Sequence, residues 1–200
     1  MTQITITMSS PDEALRGLDK ITHRKVWIRS ANKTIAKAKT TASKEIRAEY
    51  FIRAEDVGSR VLKTFNASAA RPEALLRARS PRLALTRFKV SPAMPTFPGP
   101  RIGAKVRVRR DSRGARIPGT FVAIMESGHV GVFKRVPGQR MKTNPKRQKI
   151  EEKTGPSPAD LLASERVFKR VGTLLAEDAQ RIFAHELVFE LNRTGQGRRT

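Results

Sequence analysis

Apolar positions recur along this chain in two different periods. Leu18, Ile21, Ile28, Ala31, Ile35, Ala38, Ala42 and Ile46 follow one another at intervals of three, four and seven residues, which places them on one face of an α-helix. Ser10-Pro11-Asp12-Glu13 supplies a start signal: a capping serine, a proline in the first turn and a carboxylate three residues on. The pattern predicts a helix from about residue 10 to Tyr50 or Phe51. A helix of roughly 40 residues is about 60 Å long, more than a small core covers, so part of its alanine-rich stripe is expected to meet another chain. Ser157-Pro158-Ala159-Asp160 repeats the start signal. It predicts a second helix to about Leu191, with Leu161, Phe168, Val171, Leu175, Ala179, Ile182 and Phe189 near one face.

Between the helices the period shortens to two. Thr2–Met8 alternates and suits a strand added to a sheet edge, in this chain or a neighbour. Ala74–Arg79, Leu83–Val90 and Ala104–Arg109 read as strands, and Gln148–Thr154 as an edge strand. Ala54–Phe65 reads as a short helix on the spacing of Val57, Val61, Leu62 and Phe65, with Gly58 as a weak point. Thr120–Glu126 and His129–Val136 flank Ser127-Gly128 and predict a two-residue β-hairpin, with glycine supplying positive φ. Phe121, Ile124 and Phe133 are its expected core residues. The order helix, strands, helix predicts one α+β domain over residues 1–200, with an antiparallel sheet flanked by the two long helices. Residues 91–103 hold four prolines and two glycines, and 138–149 are basic without an apolar period. Both are expected to be extended loops, and 193–200 a flexible tail.

Composition changes this picture mainly through charge. The 200 residues carry 41 Lys+Arg against 18 Asp+Glu, a net charge of +23. Such an excess repels itself in a monomer and attracts nucleic acid or acidic protein surfaces. At 38% hydrophobic and 6% aromatic, the chain is poorer in core-building residues than an ordinary domain. With no cysteine, disulfides, thiolate metal sites and cysteine nucleophiles are excluded. No apolar run reaches the roughly 20 residues of a membrane span, and the N-terminus has no signal-peptide pattern; a soluble protein is expected.

Candidate chemistry is sparse. His23, His129 and His185 are far apart, and the adjacent pair His185-Glu186 points to different parts of a helix. Glu151-Glu152 lie next to each other on a strand and so face opposite ways. Phosphate-binding glycine loops and a nucleophile elbow are absent from the sequence. No catalytic, cofactor or metal residue is therefore assigned. The candidates are interaction residues: Ile28, Ala31, Ile35, Ala38 and Ala42 on the helical stripe, and Arg107, Arg109 and Arg110 in KVRVRRDSRGAR. That basic segment can track phosphates, but it lacks the interleaved aromatics that stack on single strands. Cationic faces meeting acidic neighbours explain it as well.

RIPGTF (116–121), GHVGVFKRVPG (128–138), TGPS (154–157) and AHELVFEL (184–191) together resemble the minor tail protein Z family of tailed bacteriophages and prophages. The resemblance extends to the long basic N-terminal helix and the C-terminal helix. The proline-rich stretch near 92–100 and the tail after Asn192 depart from it. It implies a non-enzymatic structural protein of the virion, made in the host cytoplasm and acting at the head-proximal end of the tail. It also implies a fold related to tail-terminator and neck proteins. The implied partners are copies of the chain itself in a ring, expected to be hexameric, together with tail tube and neck or connector proteins. DNA in the channel is a further contact, and no membrane is involved. The rival expectation is a basic nucleic-acid-binding protein with electrostatic, sequence-independent affinity.

Overall fold

A computed structural model describes residues 2–8, 20–58, 61–95 and 103–193. The Ser10 start signal, most of the proline-rich segment and the tail after Arg193 lie outside the described residues. In chain order the elements are β1 (Thr2–Met8), α1 (Lys20–Glu49), β2 (Leu62–Phe65), β3 (Ala74–Ser80), β4 (Lys89–Ser91), β5 (Ala104–Arg107) and β6 (Ala115–Ile117). Then follow β7 (Thr120–Ile124), β8 (Val130–Arg140), β9 (Gln148–Glu152), α2 (Pro158–Ala163) and α3 (Glu165–Arg193). The strands form three antiparallel three-stranded sheets, ordered β1-β3-β2, β4-β5-β6 and β7-β8-β9. The α+β class agrees with the sequence.

The main core lies between α1, α3, α2 and the first sheet. Thr22, Val26, Ser30, Thr34, Ala38, Ala42, Ile46 and Tyr50 are all buried and spaced four apart, beside a second row of Trp27, Ala31 and Ile35. Rows four apart are the ridges by which helices interlock, and small residues in them let the neighbouring backbone approach closely. α3 answers with Val167, Val171 and Leu175, also four apart and buried. Leu62, Leu76, Ala78, Leu161 and Leu162 complete the cluster. The stripe expected to face another chain is thus covered by its own: Ala31, Ile35, Ala38 and Ala42 are each 0% exposed, and only Ile28 remains half-buried.

A second cluster holds the small sheets together: Leu85, Ala104, Val106, Val122 and Val132, with Val90, Val108, Ile117 and Val130 packed against it. Within the hairpin β7–β8, Val122 pairs with Val132 and Phe121 with Phe133. The valines face the core; the phenylalanines pair on the opposite face, 6.3 Å between ring centres. Phe133 is nevertheless buried, lying over Gly131, where a Cβ would sit 2.7 Å from its ring. Phe121 is only half-buried, so the core position on β7 is Val122, one residue on; Ile124 shares the face of Val122 but ends the strand and is 48% exposed.

Four further expectations change. Ala54–Phe65 is a short 3-10 turn (Ala54–Val57) followed by β2, because the helix does not continue past Gly58. Leu83–Val90 divides into a 3-10 turn at Leu85–Arg87 and the short β4. The hairpin loop has three residues: Met125 N–H donates to His129 O, and Gly128 N–H to Met125 O, with Gly128 at φ +79°. This is the type I turn closed by a left-handed glycine. The single C-terminal helix is two. α2 has its reciprocal Ser157–Asp160 capping box, but Ser164 is extended (ψ 135°) and α3 starts anew at Glu165.

Candidate interaction surface

Across the seam of the helix pair, charge is matched internally. At one end α1 supplies the acids: Glu45 and Glu49 meet Arg170, and Glu49 also meets Arg109 at 2.8 Å. At the other end α1 supplies the bases. Lys37 meets Asp178 at 2.6 Å, Lys33 meets Glu186 at 2.5 Å, and Arg29 meets Glu190. Reading up α1 and down α3, the partners advance together, so the helices run antiparallel in one charge-matched register. Glu186 and Glu190 are 3% and 0% exposed. Hydrogen bonds from Arg193 and then Arg29 push the Glu190 carboxyl down to about 2. The Lys33 ammonium likewise holds Glu186 below the ordinary carboxylate range, against the opposing effect of burial.

The three arginines singled out from the sequence serve the fold at the C-terminus of α1. The chain leaves that helix extended, with Phe51 N–H donating to Val108 O and Arg110 N–H to Glu49 O. Arg110 Nε donates to the Arg47 carbonyl at 2.9 Å, satisfying one of the last-turn acceptors that every helix leaves open. Arg109 bridges Glu49 and Asp111. Arg107 and Arg110 both lie 4.9 Å from the Phe51 ring centre, with the Lys89 ammonium 5.5 Å away, within the range of cation–π attraction. Ala31, Ile35, Ala38 and Ala42 are therefore buried within the chain, whereas the arginine cluster braces the end of α1 with Arg110 still exposed.

A cationic surface built on one ribbon lies where the sequence predicts a loop. β7 pairs with β8 only as far as Thr120–Lys134. Beyond that point β8 continues to Arg140 and carries β9 with it as a two-stranded arm. Pro137 and Gly138 (φ +74°) sit in the register break between Arg135 and Arg140, where a missing N–H and a left-handed residue interrupt a ladder at least cost. The tip closes through Met141 N–H to Arg147 O and Arg147 N–H to Asn144 O. Residues 138–149, expected as an open loop, thus include the ends of both strands and a bonded turn.

The arm carries Lys134, Arg135, Arg140, Lys142, Lys146, Arg147 and Lys149, and the chain has no acidic residue between Glu126 and Glu151. Lys149 meets Glu151 at 3.1 Å and Gln139 at the same distance. Arg135 stacks on Phe121, 5.3 Å from its centre. Arg140, Lys142, Lys146 and Arg147 are exposed and have no carboxylate partner among the described residues. Gln139–Thr143, Lys149 and Ile150 frame an open concavity of about 460 Å³. At the arm's base His129 Nε2 lies 2.8 Å from Glu152, while Glu151 turns to Lys149. The two adjacent carboxylates thus serve different partners. Among the described residues no group of three or more His, Cys, Asp or Glu could hold a metal ion. No helix there is long and apolar enough to cross a membrane.

The sequence model of prophage minor tail protein Z (GPZ) matches residues 10–194, a span that takes in both long helices, all three sheets except β1, and the arm. The chain belongs to that family. As a minor tail protein it has a structural role in a phage tail, which makes it a component of the virion. Neither a curated protein nor a solved structure matches it. Within this minor tail protein, helical period and charge clustering picked residues that the fold itself uses. The arm had no comparable signal in the sequence: its 24 residues without a carboxylate, from Ser127 to Ile150, are exceeded by residues 74–110 and 20–44, and it is the strand pairing that sets it apart.

Proposed function

We propose that this minor tail protein completes the tail at its head-proximal end, assembling with copies of itself into a ring that joins the tail tube to neck or connector proteins. Membership of the minor tail protein Z family over residues 10–194 carries the reading. Its charge layout supports it: with +23 per chain and the acids of α3 already matched to cations of the helix pair, the surplus cations need anionic neighbours of the kind an assembled virion offers. A hexamer is the stoichiometry expected of the ring.

The test is to immunolabel or tag the protein in purified tails and image them, alongside light scattering of the isolated protein. A discrete oligomer and label confined to the head-proximal end is the expected result. Label along the tube or at the distal tip would overturn the position, and a monomer at all concentrations would overturn the ring. The acid-free arm favours one second reading, a basic nucleic-acid-binding protein acting outside the tail. That protein would bind duplex DNA as a monomer with a steep salt dependence and would be missing from purified tails.

A further inference from the structure

Resting on the tail reading, we infer that the β8–β9 arm is a duplex-DNA contact, binding phosphates without regard to sequence. Three observations converge on it. First, Arg140, Lys142, Lys146 and Arg147 lack a carboxylate partner among the described residues and crowd onto one ribbon, whereas Arg29, Lys33 and Lys37 of α1 and Arg170 of α3 meet the chain's own acids. Four like charges held on one short ribbon repel one another, so an external polyanion relieves a cost that the fold leaves standing.

Second, the arm lacks what a protein partner uses as an anchor. Protein interfaces are held by buried aromatic and large apolar side chains at their centre. Residues 136–150 contain no aromatic, and their large apolar side chains, Val136, Met141 and Ile150, are already half-buried. Phe121 and Phe133 belong to the base, where Arg135 and Gly131 pack on them. Cations without an apolar anchor fit a phosphate backbone, which supplies charge and little else to bind.

Third, the shape suits a duplex. A two-stranded antiparallel ribbon is one of the two elements the major groove admits. Here the ribbon runs past β7 with no further strand among the described residues on that edge of β8. Bonding at the tip, Met141 to Arg147 and Arg147 to Asn144, fixes its shape before a ligand arrives and so lowers the ordering cost of binding.

The experiment titrates a short fluorescent duplex of mixed sequence with the full chain over a series of salt concentrations. Three proteins are compared: the parent, the arm variant Arg140→Gln/Lys142→Gln/Lys146→Gln/Arg147→Gln, and a charge-matched control, Lys25→Gln/Lys44→Gln/Lys63→Gln/Arg82→Gln, whose sites are all exposed. Each cation withdrawn from a phosphate takes nearly one unit off the slope of log K against log salt, so the arm variant should fall short of the parent by about three to four units. The control should keep most of the parental slope. Arg140→Lys/Arg147→Lys should restore the parental slope to the arm, because a phosphate accepts either point charge. Equal reductions in the arm variant and the control would overturn the inference, since binding would then be spread over the whole cationic surface. Parental slope in the arm variant would overturn it too; if that variant also failed to join tails, the arm would be assigned to an acidic protein neighbour. The parent's absence from purified tails would sink the tail reading and leave these slopes untouched.

Discussion

The α1–α3 pair and the β8–β9 arm carry the same kinds of cation and use them in opposite ways. Along the helices Arg29, Lys33, Lys37 and Arg170 each face a carboxylate from the other helix. Those ion pairs also fix the register, because sliding or reversing α3 would set like charges against each other. On the arm, Arg140, Lys142, Lys146 and Arg147 face solvent. A net charge of +23 says only that cations are in surplus. Where unpaired cations are held together on one rigid ribbon is what locates the surface on which an outside anion is needed.

The comparison breaks first if the helix stripe is not core. Ala38 is 0% exposed between α1 and its neighbours, so Ala38→Glu buries an uncompensated charge at a cost of about 3–5 kcal/mol. For a chain of this size that is a fall in Tm of roughly 6–20 °C. Thermal unfolding by circular dichroism decides it. A folded variant with parental Tm and altered oligomers would return the stripe to the role of an interface between copies.

The hairpin at the root of the arm gives the next largest effects, and they are graded by register. Phe133→Ala should cost about 3–5 kcal/mol, as for a buried phenylalanine. Half-exposed Phe121 should cost clearly less, and Ile124→Ala, at 48% exposed, should stay within about 0.5 kcal/mol. Urea unfolding of the three variants, with Val122→Ala beside them, reads the order directly. A cost for Phe121→Ala above that for Val122→Ala would mean that β7 is shifted by one residue.

That one-residue ambiguity shows what the sequence could and could not settle. Phe121, Val122, Ala123 and Ile124 form an unbroken apolar run, so alternation does not choose a face, and side-chain size favours the wrong one. On α1 the period identified the right side chains, since Ala31, Ile35, Ala38, Ala42 and Ile46 are all buried. What covers them was not legible, because Val167, Val171 and Leu175 lie more than a hundred residues away in sequence. The buried part of α3 near its C-terminus was invisible for another reason. Glu186 and Glu190 occupy the inward face, and a search for apolar positions passes over them in favour of Phe189, which is 50% exposed. Family resemblance was carried by turn and strand motifs, RIPGTF and GHVGVFKRVPG among them, which sit where β6, β7 and β8 are joined.

A smaller effect separates the two regions by pH. Glu190 is held at about 2 against an ordinary 4.5, so its folded pKa is depressed. Its stabilisation is therefore complete above pH 4.5 and is lost as pH falls towards 2. Glu186 and Asp178 are shifted in the same direction, by Lys33 and Lys37 respectively. Glu190→Gln should accordingly lower Tm at neutral pH and flatten its fall between pH 4.5 and 2. Parallel Tm–pH curves for parent and variant would show that the Arg29–Glu190–Arg193 cluster contributes nothing to stability.

The smallest effect on stability belongs to the arm, and its smallness is the point. Neutralising Arg140, Lys142, Lys146 and Arg147 removes no ion pair to a described carboxylate and exposes no apolar surface. Exposed substitutions of this kind stay within about 0.5 kcal/mol, and relief of mutual repulsion tilts the sum towards stabilisation. Added salt should raise the parent's Tm more than the variant's, because screening replaces what neutralisation has already done. Thermal unfolding at low and high salt measures both effects. A loss of several degrees in the variant at either salt would mean that these cations support the fold as Arg29 and Lys33 do, and the contrast between arm and helix pair would collapse.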